Sequence, residues 1–138
     1  MNDPIINNKS FLLVDDEKEV RDSLLLFLKI HNYGEKSIHQ AGNGIEALNV
    51  FSGLYHINRT PSVIISDLNM PQMDGLEFFK HLAENYESIF PNLIKIIITG
   101  SRIEYQEHAY NVCKSFGITV ISKPFKLIEI MSVINNGK

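Results

Sequence analysis

The chain has 138 residues, 44% of them hydrophobic, enough for one well-filled core and too few for two ordinary domains. A formal net charge of −3 and a pI near 5.9 lack the basic footprint of direct nucleic-acid binding, and no apolar stretch approaches the roughly 20 residues of a membrane span. The opening MNDPIINNKS has no apolar run of signal-peptide length, so a cytoplasmic location is expected, and the single cysteine, Cys113, excludes an internal disulfide.

Residues 1 to 8 read as an N-terminal extension to a core of about 9 to 136. The run SFLLV at 10 to 14 predicts a first strand, and 17 to 31 a helix in which Val20, Leu24, Phe27 and Leu28 recur at 3.6-residue spacing. KSIHQA at 36 to 41 is the least apolar strand candidate; a short helix fits 44 to 53, after AGNG, and 53 to 61 reads as a surface loop. SVIIS at 62 to 66 predicts a third strand, followed by a helix over 75 to 84 after MDG and a second surface loop over 85 to 92. IKIII at 94 to 98 predicts the fourth strand, and 104 to 116 a helix carrying Tyr105, Ala109, Val112, Cys113 and Phe116 on its apolar face. ITVIS at 118 to 122 and the segment 125 to 136, with Leu127, Ile130, Met131 and Ile134, close the series. Four of the five strands are rich in Val, Ile and Leu, as expected where both faces of a parallel sheet are covered. The alternation predicts an α/β fold, a doubly wound (βα)5 arrangement of one open five-stranded parallel sheet with helices on both sides.

In such sheets ligands bind outside the carboxyl ends of the strands. Asp15 and Asp16 follow the first strand, Asp67 the third, within SDLNMPQMDG, Thr99-Gly100-Ser101 the fourth, and Lys123-Pro124 the fifth. Singly, each has an ordinary explanation: an acid before a helix caps it, an Asp before a turn makes an Asx-turn, a Thr ends a strand, a Lys is solvated. Together they place every such polar group on one sheet edge. Three acids that close raise one another's pKa and call for a cation, and an all-oxygen donor set suits Mg²⁺ or Mn²⁺ better than zinc. Lys123 and Thr99 could then meet an anion beside the metal, and a phosphoryl group accepted as an aspartyl phosphate fits this chemistry. Cys113, Phe78, Phe79 and Leu82 read as core, Phe125 as core packing next to the Lys-Pro pair, and His31, His39, His56, His81 and His108 form no ligand spacing.

The ordered pieces LLVDDE, SDLNMPQMDG, IITGS and SKPF, with QAGNGIEAL between the first two, resemble the receiver domain of bacterial two-component response regulators over roughly residues 9 to 136. The resemblance is to single-domain, chemotaxis-regulator-like members, and it implies a flavodoxin-like strand order 2-1-3-4-5. It implies that Asp67 is the phosphoacceptor, that Asp16 binds Mg²⁺ directly and Asp15 mainly through water, and that the backbone carbonyl of Asn69 completes the protein's share of the shell. By the same resemblance Thr99 is the switch hydroxyl, Lys123 pairs with a phosphoryl oxygen, Pro124 follows a cis peptide, and Gly100 leaves room for the phosphodonor. The partners implied are a histidine kinase or histidine phosphotransfer protein and a downstream effector in trans. A homodimer through the fourth and fifth helical faces stays open.

One position departs from the family. Three residues before the lysine it commonly has Tyr or Phe, and here stands Val120, which has no ring to swing between buried and exposed positions. Signalling is then expected to rely on the 99 to 105 loop and the following helix. The pair Asn69 and Ser101, which in the family influences phosphoryl lifetime, does not give a lifetime here. Three function classes remain in view: a phosphorylation-controlled switch, alone or as the receiver segment of a larger hybrid protein; a Mg²⁺-dependent phosphohydrolase with an aspartyl nucleophile; and a receiver-like scaffold that takes no phosphate.

Overall fold

The structure, a computed structural model, describes residues 9–100 and 107–136. Five strands, β1 (Phe11–Val14), β2 (Ile38–Ala41), β3 (Val63–Asp67), β4 (Ile94–Thr99) and β5 (Ile118–Ser122), alternate with helices α1 (Lys18–Ile30), α2 (Gly44–His56), α3 (Gly75–Asn85), α4 (Glu107–Ser115) and α5 (Leu127–Asn136). The strands form one parallel sheet in the order β2-β1-β3-β4-β5. The expected architecture and strand order are therefore the observed ones.

The sheet is dry on both faces because its strands carry apolar side chains in both directions. Under α1 and α5 lie Phe11, Leu13, Val63, Ile65, Ile96 and Ile98, closed by Leu24, Leu28, Ile130 and Ile134. On the other face Leu12, Val14, Ile64 and Ile97 meet Phe51, Phe78, Phe79, Leu82 and Cys113. The helical spacings read from sequence thus supply the faces that bury. The register brings Val14 beside Ser66, Asp67 beside Ile98 and Thr99 beside Ser122, so the carboxyl ends of β1, β3, β4 and β5 finish nearly level.

Three expectations need correction. The second strand starts at Ile38, because Glu35–Ser37 form a 3-10 turn that keeps the polar Lys36 exposed. Helix α2 runs on to His56, taking in the first part of the expected 53 to 61 loop. Its exposed Gly53 costs about 1 kcal/mol of helix propensity, which is offset as Leu54 enters the core and the Tyr55 ring packs 4.9 Å from Tyr86. The 85 to 92 stretch is not wholly superficial either: Phe90 is buried within a 3-10 turn over Phe90–Asn92, edge-on to Phe116 at 6.1 Å. Of the predicted 104 to 116 helix, the described part is Glu107–Ser115; Tyr105, Ser101 and most of the 99 to 105 loop lie outside the described residues.

Candidate phosphoacceptor and metal site

Each acid sits where a strand gives way to a loop. Asp15 follows β1, is buried, and is held from three directions: its N–H donates to the Ala41 carbonyl (3.1 Å), its carbonyl accepts from Arg21 Nη1 (2.6 Å), and its Oδ1 accepts from the Glu17 N–H (2.8 Å). Asp67 ends β3 and is 6% exposed, whereas Asp16 faces solvent. The chain behind Asp67 is fixed by the Leu68 N–H to the Ile98 carbonyl (2.9 Å), the Gly75 N–H to the Leu68 carbonyl (2.8 Å) and the Ser66 hydroxyl to the Asp67 carbonyl (2.9 Å).

One carboxylate oxygen from each of Asp15, Asp16 and Asp67 lies within 4.8 Å of the other two. Lys123 Nζ stands 3.4 Å from Asp67 Oδ1. Thr99 is fully buried at the end of β4, and its carbonyl accepts the Lys123 N–H at 2.8 Å, which places the hydroxyl residue and the lysine on adjacent strand ends. Gly100 is exposed beside them: a Cβ there would sit 3.8 Å from Lys123 Cδ. The Lys123–Pro124 peptide is cis. Asn69, two residues past Asp67 on the loop before α3, is exposed between the buried Leu68 and Met70. Val120 is half-buried against the core that also holds Ile97, its β4 partner, and Phe125 is half-buried against the core beneath α1 and α5.

The electrostatics are set by dehydration. Burial pushes the Asp15 carboxyl up to about 6, opposed by the Glu17 N–H, raised again by Asp67, lowered by Lys123 and raised by Asp16. Burial also raises Asp67, and although Lys123 pulls the other way through charge and hydrogen bond, with the Leu68 N–H assisting, burial and the Asp16 charge prevail. A single lysine at 3.4 Å therefore does not neutralise the cluster. Two dehydrated carboxyls held above their ordinary range beside a third, exposed one form an all-oxygen donor set that fits a hard divalent cation.

Two supports of this site were not singled out in the sequence. Gly75 looks like an ordinary helix start after Asp74, which caps α3 reciprocally with Glu77, yet a Cβ on Gly75 would lie 2.3 Å from the Asp67 carbonyl oxygen. Only glycine permits that approach. Arg21 looks like a solvated helix residue, yet besides the Asp15 carbonyl it binds Gln40 Oε1 through Nε at 3.1 Å. A glycine opening a helix beside a strand-end acid was the signal available for the first; the second had none.

The family model of the response regulator receiver domain matches residues 11–135. Response regulator Rre1 of Synechocystis sp. is 33% identical over 132 residues, covering 92% of this chain and 50% of its own length. A protein-glutamate methylesterase/protein-glutamine glutaminase of Hahella chejuensis is 34% identical over 113 residues, 82% of this chain and 29% of its own. The chain thus spans half the length of the first relative and less than a third of the second. Among solved structures, a response regulator receiver domain protein from Clostridium thermocellum superposes with a TM-score of 0.76 at 23% identity, covering 94% of this chain and 93% of that one. No described helix is long and apolar enough to cross a membrane. With the family's pattern matched almost end to end and its fold reproduced, this chain belongs to the response regulator receiver domains of two-component signalling.

Proposed function

We propose that the domain is a phosphorylation-dependent switch in which Asp67 accepts a phosphoryl group from a histidine kinase or histidine phosphotransfer protein, and that the change alters binding of an effector in trans. The observation that carries this reading is the buried Asp67 carboxylate, within 4.8 Å of oxygens of Asp15 and Asp16 and 3.4 Å from the Lys123 ammonium.

Asp15, Asp16, Asp67 and the Asn69 backbone carbonyl are the groups that would hold Mg²⁺, with Mn²⁺ as a substitute. When bound, the ion supplies positive charge to a transferring phosphoryl group and removes the like-charge conflict among the acids. An Asp67 oxygen attacks phosphorus; the bond from phosphorus to the donor nitrogen or oxygen breaks, and the leaving group keeps its electron pair. Lys123 meets one phosphoryl oxygen as a point charge and Thr99 donates a hydroxyl hydrogen bond to another. Gly100 leaves the approach open, and the chain's contribution is position and charge more than covalent chemistry. Water attacking phosphorus at the same site breaks its bond to the Asp67 oxygen, restores the carboxylate and releases inorganic phosphate, so the domain catalyses its own modification and its removal without being an enzyme for an external substrate.

The relatives that exceed this chain in length support a second form of the reading, in which the same switch is the receiver segment of a larger regulator or hybrid kinase. Purified protein given acetyl phosphate and Mg²⁺ is expected to gain one acid-stable, base-labile phosphoryl group, absent in Asp67→Asn and after chelation. Sustained turnover of many phosphoesters would instead identify a phosphohydrolase, and no labelling by small donors or kinases a binding scaffold.

A further inference from the structure

Arg21, on α1, ties the turn after β1 to the edge strand β2. From α1 its Nη1 donates to the Asp15 carbonyl at 2.6 Å, while its Nε donates to Gln40 Oε1, on the edge strand β2, at 3.1 Å. The fork of the guanidinium fixes both bonds at once, which a lysine cannot do. The Ala41 carbonyl takes the Asp15 N–H from the same strand, and the Glu17 N–H takes Oδ1. Both ends of the Asp15 unit and one of its carboxylate oxygens are thereby fixed, and the place of the remaining oxygen follows.

We infer that Arg21, braced by Gln40, is a positioning residue that presets the Asp15-Asp16 pair for a divalent cation by holding the Asp15 carbonyl. The inference rests on the metal reading of the site given above. Without the brace, the Asp15 carbonyl loses its Arg21 partner, and the acids lose orientation that binding must then restore. Removing a group that orients a ligand from behind typically weakens metal affinity by roughly 10–100-fold.

The test is a Mn²⁺ titration of the whole, metal-free protein followed by electron paramagnetic resonance. Arg21→Met is expected to raise the half-saturating Mn²⁺ concentration roughly tenfold, Arg21→Lys to recover part of the loss, and Gln40→Leu to shift it less in the same direction. Lys18→Ala, which breaks only the exposed pair to Asp22 on the same helix, is expected to leave it unchanged. In acetyl phosphate assays the metal concentration for half-maximal labelling rises in parallel while the rate at saturating metal stays within about twofold, the pattern of lost binding and not of lost chemistry. A purely structural arginine would lower the melting temperature of Arg21→Met and leave half-saturation where it was, which overturns the inference alone. Should Arg21→Met not fold, unchanged half-saturation in both Arg21→Lys and Gln40→Leu overturns it equally. No Mn²⁺ binding by the unaltered protein overturns the metal reading of the site and this inference with it.

Discussion

Strand β4 has a buried charge-bearing neighbourhood at each end, and the two are handled in opposite ways. At its carboxyl end, beside Thr99, the carboxylates of Asp15 and Asp67 are dehydrated next to Asp16 with a single ammonium, Lys123, at 3.4 Å. Near its start Lys95, 4% exposed, gives one hydrogen bond to the Phe90 carbonyl at 2.8 Å and lies 4.3 Å from the centre of the Phe90 ring. Burial pushes that ammonium below its usual range, just as it pushes the acids above theirs. Among the described residues no carboxylate pairs with Lys95. Its charge is met within the fold by a carbonyl and a π-face. The acids are left in conflict, and a conflict unresolved inside the fold is what a ligand can resolve.

The sharpest way to break the comparison is Phe90→Ala, which removes a buried ring and the ammonium's π-face together. It is expected to cost about 3–5 kcal/mol, read from denaturant midpoints, while Mn²⁺ half-saturation below the transition stays as in the unaltered protein. The acid end should show itself in pH. The folded Asp15 carboxyl titrates at about 6 against an ordinary 3.8, so the folded chain holds that proton more tightly than the unfolded one. The contribution of Asp15 to the stability of the metal-free protein is then full below pH 3.8, declines as pH rises to about 6, and is lost above. The raised Asp67 carboxyl adds in the same direction. The Asp15 contribution amounts to no more than about 3 kcal/mol, and saturating Mg²⁺ should flatten the profile; a metal-free stability that rises over this range would refute the sign.

Gly75→Ala comes next. With its Cβ driven 2.3 Å from the Asp67 carbonyl oxygen, the backbone must move. A loss of about 1–3 kcal/mol is expected, together with slower labelling by acetyl phosphate, because the displaced atoms carry the acceptor. Lys95→Met is the smallest change. It removes a dehydrated charge, and the Phe90 carbonyl keeps the Leu93 N–H at 3.1 Å. Stability should change by no more than about 1 kcal/mol with labelling unaltered, which would set the two ends of β4 apart as one functional and one structural.

The fold was legible because its strands are apolar runs and its helices carry their buried residues at 3.6-residue spacing; Leu24, Leu28, Cys113, Ile130 and Ile134 are buried as that spacing requires. Convergence of Asp15, Asp16, Asp67 and Lys123 was legible because a parallel sheet brings its carboxyl ends to one edge. What escaped depends on contacts between distant segments. The extension of α2 past Gly53 is decided by Leu54 and Tyr55 against neighbours, not by the local propensity that glycine lowers. Burial of Phe90 and Lys95 together is invisible in a stretch with Pro91 and Asn92 between them, and IKIII reads as a strand without showing how its lysine is accommodated. Arg21 escaped because a guanidinium that binds a backbone carbonyl leaves no pattern in residue types.

The bond from the Lys123 amide to the Thr99 carbonyl, at 2.8 Å, is the final rung joining β4 to β5. Fraying at that rung would release the ammonium and the hydroxyl in one motion, long before the aliphatic interior melts. The exchange rate of this one amide proton is therefore a clock for how often the pocket comes undone, and occupancy by a cation and a phosphoryl group should slow it while leaving amides at the opposite end of the same strands at their former pace.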